Sequence, residues 1–80
     1  MTEEEIELEV LNILEVILKT HVDRLASRET YPQWDSLTHL QILFSIEEKL
    51  NIQFLEDDFR SMSSVLIIIE RVIALRGGRS

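Results

Sequence analysis

Apolar residues return every three or four positions in three separate segments of this chain, a period that commits it to helices packed on one another. In the first segment Ile6, Val10, Ile13, Leu14 and Ile17 form the stripe, with Glu3, Glu5, Glu7, Glu9 and Glu15 between them. The spacing predicts a helix over 3–19. Thr2 and Glu5 stand at the interval of a capping box, and the acidic first turn suits the positive end of the helix dipole. Leu8, Leu11 and Leu18 widen the stripe, so this helix is expected to touch more than one neighbour. Leu37, Leu40, Leu43, Phe44 and Leu50 predict a second helix over 36–50, with Asp35 or Ser36 as its N-cap and Glu47, Glu48 and Lys49 on its open side. Glu56, Asp57 and Asp58 ahead of Phe59 and Met62 predict a short helix of a turn or two. The β-branched run from Val65 to Ile69 continues at helical spacing through Val72, Ile73 and Leu75. It predicts a last helix over 64–76, capped by Ser63 or Ser64 and stopped by Gly77-Gly78.

Between the first two helices, residues 20–35 lose the period, and Tyr31-Pro32 bends the backbone away from helical geometry. A connection of this length suits a crossing from one end of a bundle to the other, with Val22 and Leu25 as the expected pegs into the core. Leu50, Ile52 and Phe54 alternate as a strand would, but no second strand is there to pair, and the stretch reads as an extended connector. The expected architecture is all-α, a bundle of three longer helices and one short helix with a long first loop. One domain is expected over 1–76, with a short tail at 77–80. Eighty residues leave no room for a second core, and with no cysteine the apolar interior must hold the fold unaided.

Charge narrows the partners. Fifteen acidic residues against eight basic ones give a net charge of -7, which repels a phosphate backbone, and nucleic acid is not expected as a partner. The acidic opening Met1-Thr-Glu-Glu-Glu5 is unlike a secretory signal, and no apolar run approaches the roughly 18 residues that span a bilayer. A cytoplasmic chain with no membrane partner is expected. Most apolar residues are consumed by one small bundle, which points to a monomer.

Candidate chemistry centres on Trp34-Asp35-Ser36-Leu37, which places a serine hydroxyl where a loop turns into a helix. Free backbone N–H groups and the positive helix end favour a negatively charged group attached there. An ordinary N-cap is the competing use of Asp35-Ser36. His39, three residues after Ser36, invites a serine-hydrolase reading, but an adjacent Asp-Ser leaves the orienting third group poorly placed. His21 and His39 lack cysteine or spaced carboxylates beside them, so two surface histidines are expected rather than a metal site. Trp34 and Tyr31 read as loop packing before any base-stacking platform. Ile67 and Ile68 enlarge the apolar side of the last helix, and core packing is their expected use over the lining of a cavity.

Asp35-Ser36-Leu37, then Glu47-Glu48, the connector Leu50-Asn-Ile-Gln-Phe54, the acidic Glu56-Asp57-Asp58, and Phe59, Met62, Ser63, Ser64 and Val65 together resemble the acyl carrier protein family over nearly the whole chain. The resemblance implies that Ser36 is the attachment site of 4'-phosphopantetheine, with Asp35 and Leu37 helping a phosphopantetheinyl transferase recognise the junction. It implies a carrier and not an enzyme, whose arm holds acyl or aminoacyl thioesters for a loading enzyme and for downstream synthase or tailoring enzymes. Glu47, Glu48, Glu56, Asp57 and Asp58 become partner contacts by the same resemblance, where charge runs otherwise read as a solvated face. Phe44 reads either as core or as a docking residue. Trp34, Thr38, His39 and Gln41 stand where fatty-acid carriers often have small or acidic residues, which makes the chain more similar to discrete carriers of specialised biosynthesis. The alternative is a non-catalytic helical interaction domain that binds a partner helix in an apolar groove.

Overall fold

The computed structural model describes residues 2–77. Four α-helices follow in order: α1 (Glu3–Leu18), α2 (Ser36–Leu50), α3 (Glu56–Ser61) and α4 (Val65–Gly77). The described residues contain no strand, only one isolated antiparallel bridge between Ser27 and Ser64. The protein is all-α, with three longer helices, one short helix and a long first connection. Among the described residues no helix is long and apolar enough to cross a membrane.

α1 begins as its residues require. The Thr2 hydroxyl accepts from the Glu5 amide at 3.2 Å while the Glu5 carboxylate accepts from the Thr2 amide at 2.8 Å, a reciprocal box that holds the Glu5 carboxyl below its ordinary pKa. Ile6, Val10, Leu14 and Leu18 are buried, Leu11, Ile13 and Ile17 pack beside them, and Leu8 stays exposed. α1 is the central helix, with α2 and α4 both against it and α3 resting on α2. It ends at Lys19, which takes a left-handed φ of 59° although no glycine is present, and α2 ends likewise at Asn51 with φ 56°.

In α2 the boundaries agree with the spacing, but the buried face is rotated from the expected one. The stripe in the core is His39, Ile42, Leu43, Ile46 and Leu50, whereas Leu37, Leu40 and Phe44 are exposed. The helix carries two apolar stripes at helical spacing, and the one interrupted by a histidine is the one that packs.

The long connection is pegged at Val22, as expected, and at Ala26 and Trp34; Leu25, the other expected peg, is exposed. Leu25 is turned outward because Ala26 is held at the core, its carbonyl accepting from the Val65 amide at 3.0 Å while the Arg28 amide donates to the Ser63 carbonyl at 3.0 Å. This pairing fastens the loop to the start of α4. Ser64 is the cap there, its hydroxyl accepting from the Ile67 amide at 3.4 Å. Ile68 is core, whereas Ile67 is exposed. The last helix runs into Gly77 rather than stopping before it, while Gly78 and the rest of the expected tail lie outside the described residues. Arg76 donates to the Leu50 carbonyl and ties the last turn of α4 to the end of α2. Residues 52–55 form the extended connector, fixed where the Glu47 carboxylate accepts from the Phe54 amide at 2.7 Å.

Candidate functional site

The loop that delivers Ser36 is buried on one side, at Trp34, and exposed on the other. Trp34 is 2% exposed and sits in the core, so the backbone leaving it must turn outward at once to start α2. Asp35 makes that turn in an extended conformation and caps the helix, its carboxylate accepting from the Thr38 amide at 2.9 Å. That bond holds the Asp35 carboxyl below its ordinary pKa, with the Arg28 charge acting in the same sense. Ser36 follows as the first residue of the helix, exposed, with no hydrogen bond from its hydroxyl to another described residue. Because Asp35 does the capping, the serine hydroxyl is left over. Leu37 is 67% exposed beside it.

Behind Ser36 lies a buried relay that no spacing rule announced. The Trp34 indole Nε1–H donates to His39 Nδ1 at 2.9 Å, and His39 Nε2 stands 2.8 Å from the Phe59 carbonyl of α3. With Nδ1 occupied as an acceptor, the hydrogen-bond network assigns the ring proton to Nε2, which donates to Phe59. His39 is 3% exposed, and burial pushes its pKa down, against the pull of the Phe59 bond and with the help of Arg28. The expectation of two surface histidines therefore fails for His39: its partners on both nitrogens make burial tolerable. His21 is exposed and lies 2.9 Å from the Glu15 carboxylate. Both His39 nitrogens are engaged, so in this arrangement the ring has none free to take a proton from Ser36. Trp34 is core, and Tyr31 packs against the core with its hydroxyl donating to the His21 carbonyl at 3.2 Å, so neither forms a stacking platform.

Ser36 opens on a cleft of about 350 Å³ lined by Arg28, His39, Leu40, Phe59 and Arg60. Its walls are the long loop, α2 and α3, the three elements that the Trp34–His39–Phe59 relay ties together. Two cations in one cleft are notable in a chain of net charge -7. Arg28 and Arg60 did not stand out in the sequence. Leu40 was read as part of the apolar stripe of the second helix and proves exposed, whereas the arginines come from the loop and α3, where no periodic signal exists.

The residues named as partner contacts divide into two sets. Phe44 is 55% exposed, with its ring edge-on to Phe59 at 5.6 Å between centroids, so it is a surface residue and not core. Glu48, Glu56 and Asp57 are exposed, Asp57 lying 3.8 Å from Arg60. Glu47 and Asp58 are half-buried with structural duties: Glu47 holds the connector, and Asp58 accepts from the Leu55 amide at 2.8 Å and pairs with Arg71 at 3.1 Å.

No family model, curated protein or solved structure matches the chain.

Proposed function

We propose that this chain is a discrete carrier protein of the acyl carrier type, modified with 4'-phosphopantetheine on Ser36. The observation that carries the reading is the Ser36 hydroxyl itself: exposed at the first residue of α2, relieved of capping by Asp35, and open to a cleft with cationic and apolar walls. In the transfer, Ser36 Oγ attacks the phosphorus that carries the pantetheine of coenzyme A. A new P–O bond forms as the phosphoanhydride bond breaks, adenosine bisphosphate leaves, and the serine proton passes to a base of the transferase, which holds its own Mg2+. The residues at the junction fit such a group, since the phosphate would lie at a helix N-terminus near two guanidinium groups and the arm would meet Leu40 and Phe59. Once attached, the arm supplies a thiol that holds acyl or aminoacyl units as thioesters. Catalysis then belongs to the partners: the transferase, a loading enzyme, and synthase or tailoring enzymes in the cytoplasm.

The exposed Leu37, Leu40, Phe44 and Leu55, with Glu48, Glu56 and Asp57, supply an apolar and acidic surface on which such enzymes would dock through weak, salt-sensitive contacts. The same apolar stripe would serve a helix-binding interaction domain, which needs no modification. The absence of cysteine makes the distinction simple, because any protein thiol must come from the arm. After treatment with coenzyme A, Mg2+ and a promiscuous transferase, followed by desalting, thiol titration is expected to find one thiol per chain, and none in Ser36→Ala. A thiol in the alanine variant would refute the site, and none in either protein would favour the interaction domain.

A further inference from the structure

We propose that Arg28 and Arg60 clamp the phosphate attached at Ser36 and thereby lay the arm along the cleft, over Leu40 and Phe59. The inference rests on Ser36 being the attachment site and goes beyond it, because attachment alone leaves an arm free to sweep through solvent. The cleft contains both arginines and no carboxylate among its lining residues. The first turn of α2 is also free of acidic residues, whereas α1 and α3 each begin with three. An anion bound at Ser36 is therefore drawn by two guanidinium groups in a cleft that no carboxylate lines, the capping carboxylate of Asp35 being turned to the Thr38 amide.

Each arginine is presented by the fold. The Arg28 backbone is pinned by the hydrogen bond that its N–H donates to the Ser63 carbonyl, and its Nε donates to the Trp34 carbonyl at 3.4 Å, which leaves the terminal nitrogens without a hydrogen bond to another described residue. Its charge is felt by Asp35 and His39, on either side of Ser36 in sequence. Arg60 follows Phe59, whose carbonyl is held by His39, so the relay that anchors α3 also sets Arg60 at the edge of the cleft. Its only ion pair among the described residues is the exposed one with Asp57 at 3.8 Å, an interaction weak enough to yield to a phosphate. A phosphodiester carries one negative charge on two non-bridging oxygens, and guanidinium groups match that geometry in pairs. Beyond the phosphate, Leu40 and Phe59 offer an apolar wall to the methylated end of the pantetheine.

The test compares the 15N-labelled apo and loaded forms of the whole protein, with intact mass confirming loading. In the loaded form the Nε–Hε resonances of Arg28 and Arg60 are expected to shift, the shifts shrinking as salt is raised, while those of Arg71 and Arg76 hold. In the loaded Arg28→Gln/Arg60→Gln protein the 31P resonance is expected to move to that of the same diester on an unstructured peptide. Full mass gain with unmoved Arg28 and Arg60 resonances would overturn the clamp and leave the attachment reading standing. No mass gain would overturn the attachment reading and the clamp with it. The comparison of apo and loaded wild-type protein needs no variant to fold.

Discussion

The three long helices and the short α3 are held in this bundle by different physics. α1, α2 and α4 share one core of buried aliphatic side chains, Ile6, Val10 and Leu14 on the central helix, Ile42, Leu43 and Ile46 on α2 and Val65, Ile68 and Val72 on α4, and their cohesion is burial. α3 has no buried residue of its own. It is held to α2 by the His39–Phe59 hydrogen bond and the Phe44–Phe59 edge contact, and to α4 by the Asp58–Arg71 pair. The three long helices make the fold, while α3, which walls the cleft where Ser36 opens, depends on Phe59 packing and a few directional contacts that single substitutions or a proton can undo.

Leu14→Ala should cost about 2–5 kcal/mol by denaturant unfolding, because it empties a fully buried position in the central helix and leaves a cavity. Every helix should lose hydrogen-exchange protection together; loss confined to α1 would break the comparison. Trp34→Phe keeps an aromatic ring in the core but strips His39 Nδ1 of its donor, at a cost of about 1–3 kcal/mol. Here the exchange pattern is the sharper readout, since α3 should open well before α1 and α4.

A smaller effect is expected from acid. The His39 pKa is lowered from 6.5 in the folded state, so the unfolded chain takes up the proton first as pH falls. Stability is thus fully present above about 6.5 and declines as pH drops from there toward the folded value, because a protonated Nδ1 would set two N–H donors against each other. Trp34 fluorescence followed from neutral to mildly acidic pH should report the change, and His39→Gln should remove it; a profile identical in the two proteins contradicts the relay. Asp35, with a pKa lowered from 3.8, acts in the same direction only in stronger acid. Least of all, Asp58→Asn should cost about 1 kcal/mol, because the side-chain amide keeps an oxygen for the Leu55 N–H while the lost pair with Arg71 is partly screened by solvent.

Much of the helical frame was legible in the chain. The capping box of Thr2 and Glu5, the spacing of α1 and the acidic start of α3 are local signals, and local signals survive folding. The face of α2 was not legible, because a histidine in a stripe reads as polar until a tryptophan five residues back and a carbonyl twenty residues on satisfy it. The choice of Ala26 over Leu25 as a peg was hidden for a similar reason, being settled by backbone bonds to Ser63 and Val65 rather than by side-chain hydrophobicity. Ser36 was singled out from its tripeptide and surroundings, yet the freedom of its hydroxyl depends on which of two adjacent residues caps the helix. The two arginines of the cleft converge through tertiary contacts that have no period to detect.

The most direct measurement is the intact mass and peptide map of the purified protein and Ser36→Ala after incubation with coenzyme A, Mg2+ and a promiscuous phosphopantetheinyl transferase. The account predicts a gain of one phosphopantetheine, confined to the peptide containing Ser36 and absent from the alanine variant. An unchanged mass with several transferases, or a gain placed on any other residue, would contradict it.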